Sequence, residues 1–193
     1  MLSIKQLNLQ QIKEVHQSYL VNDFPKEEQK PYELIESLVN KSVYICYGLY
    51  NEETLVAYAF FCKDTDSNCI LLDFLAVLGE YRSYGYGSKF LMQMKQELTE
   101  YDGIIFEVES GMSAKNVEDK LNCDRRIEFY HRNGVRDTNN YCLFFGVDMI
   151  IMYMPLQKDF DDDTIGEALD HIYHIMYTEE VYSANIKLRK VIK

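Results

Sequence analysis

Leu75-Ala76-Val77-Leu78-Gly79-Glu80-Tyr81-Arg82-Ser83-Tyr84-Gly85-Tyr86-Gly87-Ser88 joins a buried strand to an amphipathic helix through a loop rich in glycine and tyrosine. The helix is marked by Phe90, Met94 and Leu98 at four-residue spacing, with Leu91 beside them. Gly85 and Gly87 lack a Cβ, so a ligand can approach the backbone there. The unpaired N–H groups of the first helical turn and the helix dipole both favour an anion at this place. The stretch therefore predicts a phosphate or pyrophosphate site. Two common phosphate loops are excluded by spacing. A nucleotide P-loop needs a glycine where Arg82 stands, and a dinucleotide fingerprint needs a third glycine where Phe90 stands.

Working outward, the chain of 193 residues suits one domain, and its 47% hydrophobic content is enough for a core. The longest apolar run, Cys69 to Leu78, is broken by Asp73 and is too short to span a bilayer. Met1 to Gln6 lacks an apolar h-region, so a cytoplasmic location is the default expectation, with no membrane partner. The five cysteines form no C-x-x-C pair, which indicates neither zinc nor a disulfide framework. A net charge of −11 argues against nucleic acid as partner and is compatible with a cationic small substrate such as an amine. An acidic surface that only maintains solubility is the simpler explanation of the charge.

The elements read β-α-α-β-β-β-α-β-α-β-β, followed by a C-terminal helix. Leu2 to Leu7 is the first strand. Asn8 caps the first helix with Gln11 as its capping-box partner, and Pro31 opens the second helix, which buries Leu34, Ile35 and Leu38. Val43 to Tyr50, Thr54 to Cys62 and Cys69 to Leu78 are strands separated by short polar connections. Gly103 to Val108 reads as a buried strand, Cys123 to Asn133 as a helix, and Cys142 to Phe145 and Met149 to Met154 as late strands around Gly146. Thr164-Ile165-Gly166-Glu167 starts the last helix, with Ile165, Leu169, Ile172, Tyr173 and Met176 on one face. This order predicts an α/β fold, with a right-handed crossover from the third of those strands to the strand at Gly103.

Arg82-x-x-Gly85-x-Gly87 carries a more specific likeness. Leu75 to Leu91 resembles motif A of GNAT acyltransferases, whose [Arg/Gln]-x-x-Gly-x-[Gly/Ala] loop holds the pyrophosphate of CoA. Phe129-Tyr130-His131-Arg132-Asn133-Gly134 resembles motif B, and one helix and one strand separate the two motifs, as in that family. The chain departs from the family at Gly79, where many members have proline, and at Ser83, where many have glycine. The resemblance covers roughly Met1 to Pro155. It implies a mixed, mostly antiparallel twisted sheet flanked by helices over residues 1–155; the helical extension over residues 156–193, packed on the domain or on a partner subunit, lies outside the family core. It also implies acetyl-CoA as cosubstrate, no metal, and transfer to a primary amine by direct attack in a ternary complex.

The cofactor contacts so implied are Leu75, Ala76 and Val77 through their backbone, with the Val77 N–H as oxyanion donor, and Arg82, Ser83, Tyr84, Gly85, Tyr86, Gly87 and Ser88. Tyr130 is the candidate general acid, since a phenol near pKa 10 can protonate a departing thiolate. Among 16 tyrosines a packing role is equally open for it. Asp73, Glu107 and Glu109 are candidate bases. An acid in an apolar run is expensive to bury unpaired, which favours Asp73, and Glu107 and Glu109 share one strand face. Each of the three can instead pair with Arg125 or Arg126, or face solvent, and a water can take the role. His171 and His174 have metal-compatible spacing but no third ligand. Asp159, Asp161, Asp162 and Asp163 suit a solvated helix start, and the basic tail Lys187 to Lys193 a frayed end or a helix on the acidic body. A CoA-binding module without catalysis is the alternative function. The apolar face of the last helix either folds back on its own sheet or is buried in a homodimer.

Overall fold

Asn8 begins the first helix as its sequence predicts. In the computed structural model, which describes residues 1–26, 28–112 and 114–190, the Asn8 side chain accepts from the Gln11 N–H, and the Gln11 side chain accepts from the Asn8 N–H, each at 3.0 Å. The elements are β1 (Leu2–Gln6), α1 (Leu9–Val15), a π-helical segment (His16–Leu20), α2 (Val21–Asp23), α3 (Tyr32–Asn40), β2 (Tyr44–Asn51), β3 (Thr54–Lys63), β4 (Cys69–Val77), a 3-10 turn (Gly79–Tyr81), α4 (Tyr86–Glu97), β5 (Gly103–Glu109), α5 (Val117–Arg132), β6 (Arg136–Phe144), β7 (Val147–Pro155), α6 (Asp162–Met176), α7 (Glu179–Asn185) and β8 (Ile186–Lys190). They make a mixed α/β fold of mostly antiparallel strands flanked by helices, the class that the sequence predicts.

The chain forms two compact units, Met1–Lys63 with Leu72–Leu98, and Asp64–Leu71 with the chain from Thr99 onward; the boundary falls inside β4. In the first unit the strands run in the order β1-β2-β3-β4, and β1, β2 and β3 pair antiparallel. The β2–β3 turn is two residues long, between the paired Asn51 and Thr54, with Glu52 in the left-handed region at φ 57°. Most residues of β2 and β3 are buried, because α3 covers β2 and α4 packs on β3. Ile35 and Leu38 of α3, and Phe90, Leu91 and Met94 of α4, enter this core.

In the second unit the order is β5-β7-β6-β8, every pair antiparallel. Phe145 (φ 48°) and Gly146 (φ 85°) form the tight turn of the β6–β7 hairpin. β6 starts at Arg136, six residues before the strand predicted from Cys142, and runs through the polar stretch Thr138 to Tyr141. A register shift lies there, and its polar groups are satisfied: Thr138 Oγ1 donates to the Ile151 carbonyl at 2.7 Å and Asn140 Nδ2 to that of Asp162 at 2.6 Å. Likewise α5 begins at Val117, capped by Asn116, and not at Cys123.

The segment after Pro155 differs most from its prediction. Asp161, not Thr164, caps α6, accepting from the Thr164 N–H at 2.8 Å. Asp159 and Asp162 bind Arg136, and Asp163 binds Lys190. Lys187 to Lys190 are neither frayed nor helical: they lie in β8, which extends the sheet beside β6. Val191, Ile192 and Lys193 lie outside the described residues. Ile165, Leu169, Ile172, Tyr173 and Met176 are all buried within this chain, with Tyr173 stacked on Phe144. The apolar face that suggested a dimer is therefore covered by the chain's own sheet and needs no second copy to bury it. Among the described residues no helix is long and apolar enough to cross a membrane.

Candidate active site

The loop after β4 is shaped by its backbone. Leu78 N–H donates to the Val56 carbonyl at 3.0 Å, and Tyr81 N–H returns to the Leu78 carbonyl at 2.8 Å. Ser83 then takes φ 69° and Gly85 φ 77°, both left-handed. Ser83 stands in a conformation that glycine adopts without penalty. Gly85 is the N-cap of α4, and the first helical bond runs from the Lys89 N–H to its carbonyl at 3.2 Å. By helix geometry the N–H groups of Tyr86, Gly87 and Ser88 have no acceptor within the helix.

Two further features mark this helix end as an anion site. Side chains cap α1, α5, α6 and α7, namely Asn8, Asn116, Asp161 and Thr178, whereas none caps α2, α3 or α4. The first turns of α5, α6 and α7 each carry two acids and those of α2 and α3 one, whereas α1 and α4 carry none, so of these α-helices α4 alone lacks both a cap and an acid. The positive end of the α4 dipole is thus left for an external anion. A Cβ built on Gly85 would meet nothing within 4 Å, so the approach to the backbone is open. The pyrophosphate of CoA fits these groups. The Arg82 side chain is engaged elsewhere in the loop's surroundings: Nε donates to the Val77 carbonyl at 3.0 Å and Nη2 to Asp23 Oδ1 at 2.8 Å.

Asp73 lies on β4 of the same unit and is not paired with Arg125 or Arg126. Its Oδ1 is 2.6 Å from Lys30 Nζ, each side chain only 4% exposed, and its Oδ2 accepts from the Tyr44 hydroxyl. Burial, then the Asp73 charge, hold the Tyr44 phenol well above its ordinary pKa, so it remains a donor. Lys30 also sits 5.1 Å from the Phe74 ring, and His16 Nε2 lies 2.9 Å from the Lys30 carbonyl.

The other candidates belong to the second unit. Glu107 and Glu109 are half-buried on one face of β5, alternating with the buried Phe106 and Val108. Glu107 accepts from the buried Tyr173 hydroxyl, which also lies 3.4 Å from Cys142 Sγ. Glu109 is hydrogen-bonded to the Cys123 thiol, whose pKa burial raises to about 11. Tyr130 packs edge-on against Phe106 at 5.0 Å, and burial raises its phenol to about 12, with Arg126 opposing. His171 faces Asp64 and Asp66, and His174 stacks on Tyr182 at 4.1 Å. Among the described residues no group of three or more His, Cys, Asp or Glu could hold a metal.

The model of the acetyltransferase (GNAT) family matches residues 9–134, well over half of the chain. The chain belongs to the GNAT family of acetyltransferases. The matched span holds the loop, Asp73, Glu109 and Tyr130. Among curated proteins none matches this acetyltransferase's sequence significantly. Its fold is similar to that of a GNAT-family protein from Bacteroides thetaiotaomicron (TM-score 0.70, 18% identity, covering 89% of this chain and 96% of that one). It is also similar to the spermidine N-acetyltransferase of Vibrio cholerae, solved with CoA and spermine (0.62, 11%, 81% and 96%). A third similar fold is the ribosomal-protein-S18-alanine N-acetyltransferase of Escherichia coli (0.59, 17%, 84% and 98%).

Sequence reasoning missed Asp23, Lys30, Tyr44, Tyr58 and Tyr173. Each acts through a partner far away in the chain, and no local spacing signals such a pair. An unpaired acid in an apolar run did signal that Asp73 needs a partner, but not which one.

Proposed function

We propose that this acetyltransferase moves an acetyl group from acetyl-CoA to a primary amine by direct attack in a ternary complex. The observation that carries the proposal is the uncapped, acid-free N-terminus of α4 behind the left-handed Ser83 and Gly85. Acetyl-CoA supplies the activated acyl group. The N–H groups of Tyr86, Gly87 and Ser88 bind its pyrophosphate, with Arg82, Ser83, Tyr84 and Gly85 shaping the loop. The backbone of Leu75, Ala76 and Val77 orients the pantetheine arm, and the Val77 N–H donates to the developing oxyanion.

Glu109 is our preferred base, because Asp73 is committed to Lys30 and Glu107 to Tyr173, whereas Glu109, among the described residues, meets only the weak thiol donor of Cys123. Tyr130 faces a different demand from the one its sequence position suggests. Transfer of a proton from a phenol at about 12 to a thiolate near 8.5 is uphill by about 5 kcal/mol. Tyr130 therefore serves as a hydrogen-bond donor to the departing sulfur, which leaves as the thiolate and takes its proton from solvent, while the proton of the attacking amine passes to Glu109. A cationic amine is the acceptor class that suits the net charge of −11. The engagement of Asp73 and Glu107 in buried pairs favours one other reading, a CoA-binding module without catalysis. Calorimetry with acetyl-CoA, followed by thiol release across an amine panel that includes polyamines and peptide N-termini, tests both. Binding with turnover supports the enzyme, binding without turnover the module, and no binding at millimolar acetyl-CoA overturns both.

A further inference from the structure

The Arg82 side chain is 59% exposed, yet its Nε and Nη2 are both engaged by groups of the protein itself. Its Nε–H···O bond to the Val77 carbonyl clips together the two ends of the turn that contains Gly79–Tyr81. Its Nη2 reaches Asp23 on α2, and the other oxygen of Asp23 accepts from the Tyr58 hydroxyl at 3.0 Å. Tyr58 is wholly buried on β3, and the Asp23 side chain is 13% exposed. The carboxylate is therefore held on both oxygens, by the tyrosine and by the arginine. Burial and the Asp23 charge raise the Tyr58 phenol, so it donates at any working pH.

The helix that carries Asp23 is shaped for this contact. Its π-helical segment, His16–Leu20, precedes Asp23 directly through Val21 and Asn22. A π-turn takes up one extra residue, which rotates the next helical turn by about 100° relative to a continuous α-helix. Asp23 thus reaches Arg82 from a direction that an unbroken α-helix would not give it.

Resting on the proposed binding of acetyl-CoA at the α4 loop, we propose that Asp23 and Tyr58 are positioning residues for that loop, and that the Arg82 side chain braces the loop instead of gripping the pyrophosphate. Two roles for Arg82 then differ in sign. If the guanidinium grips pyrophosphate directly, Asp23→Asn frees it and removes a nearby negative charge, so CoA binds as well or better. If the guanidinium is a brace, the same change loosens the loop and CoA binds more weakly, against the electrostatic trend.

The test uses the full chain and three probes. Calorimetry with CoA should show Kd raised about tenfold in Asp23→Asn, the loss of roughly one charge-assisted hydrogen bond. With acetyl-CoA and an accepted amine, KM should rise while kcat at saturation stays near the wild-type value. With S-acetylpantetheine, which lacks the pyrophosphate, kcat/KM should be unchanged. Tyr58→Phe should act in the same direction and more weakly, and Asp23→Glu should recover part of the loss. Unchanged or tighter CoA binding by Asp23→Asn overturns the brace. An equal loss with S-acetylpantetheine also overturns it, since that marks a general structural defect. A wild type that does not bind CoA at all overturns the underlying functional reading along with it.

Discussion

Gly85→Val separates the cost of backbone strain from the cost of losing the ligand. Gly85 has φ 77°, and a Cβ there would meet nothing within 4 Å. The free protein therefore loses only the cost of the left-handed backbone, about 1–2 kcal/mol for an L-residue. In a chain of this length that lowers Tm by roughly 2–8 °C and leaves the protein folded. On the proposed reading, the anion meets the α4 N–H groups in the space in front of Gly85. A branched side chain there costs about two charge-assisted bonds, about 3–6 kcal/mol together, which raises Kd for CoA at least a hundredfold or so. Calorimetry with CoA and thermal melts of the same samples measure the two effects. Gly79→Ala is the control: it lies in the same loop, also has open space around an added Cβ, and lacks a positive φ, so it should change neither quantity. Wild-type CoA affinity in Gly85→Val, or an equal loss of affinity in Gly79→Ala, would refute this account of the loop.

Asp73→Asn should destabilise the fold by about 3–5 kcal/mol, because it removes the carboxylate beside the buried Lys30 ammonium, and Lys30→Met with Asp73→Leu should recover most of that in denaturant titrations. A folded, stable Asp73→Asn protein that has lost turnover would instead make Asp73 the base. Truncation after Pro155 should give insoluble protein in expression trials, since it uncovers the sheet face beneath Ile165, Leu169, Ile172 and Tyr173, worth about 1.5–3 kcal/mol per large side chain; a soluble, cooperatively melting fragment would contradict this. The five buried cysteines should resist an aromatic disulfide reagent at mildly alkaline pH and react fully in denaturant, with Cys123 raised to about 11 and Cys142 to about 12 by burial. Fast labelling of either thiol in the folded protein would be incompatible with its burial.

Local chemistry made much of this protein legible in one dimension. The Asn8 capping box, the Gly146 turn, the alternation in β5 and the Arg82-x-x-Gly85-x-Gly87 loop act over a few residues, so their spacing survives in the sequence. The same locality misled at the ends of elements. Asp161 and Thr164 both offer a cap to α6, and only the fit of Asp162 to Arg136 and of Asn140 to the first turn selects Asp161. Polar Thr138 and Asn140 looked unlike a strand because their acceptors, the carbonyls of Ile151 and Asp162, lie on other elements. Pairing across long stretches of chain was decided by the tertiary structure alone. Asp73 is 43 residues from Lys30, Arg82 is 59 from Asp23, and Glu107 is 66 from Tyr173. A charge or hydroxyl in the sequence announces that it must be satisfied when buried, but only packing determines which partner reaches it, and so which carboxylates remain available for chemistry.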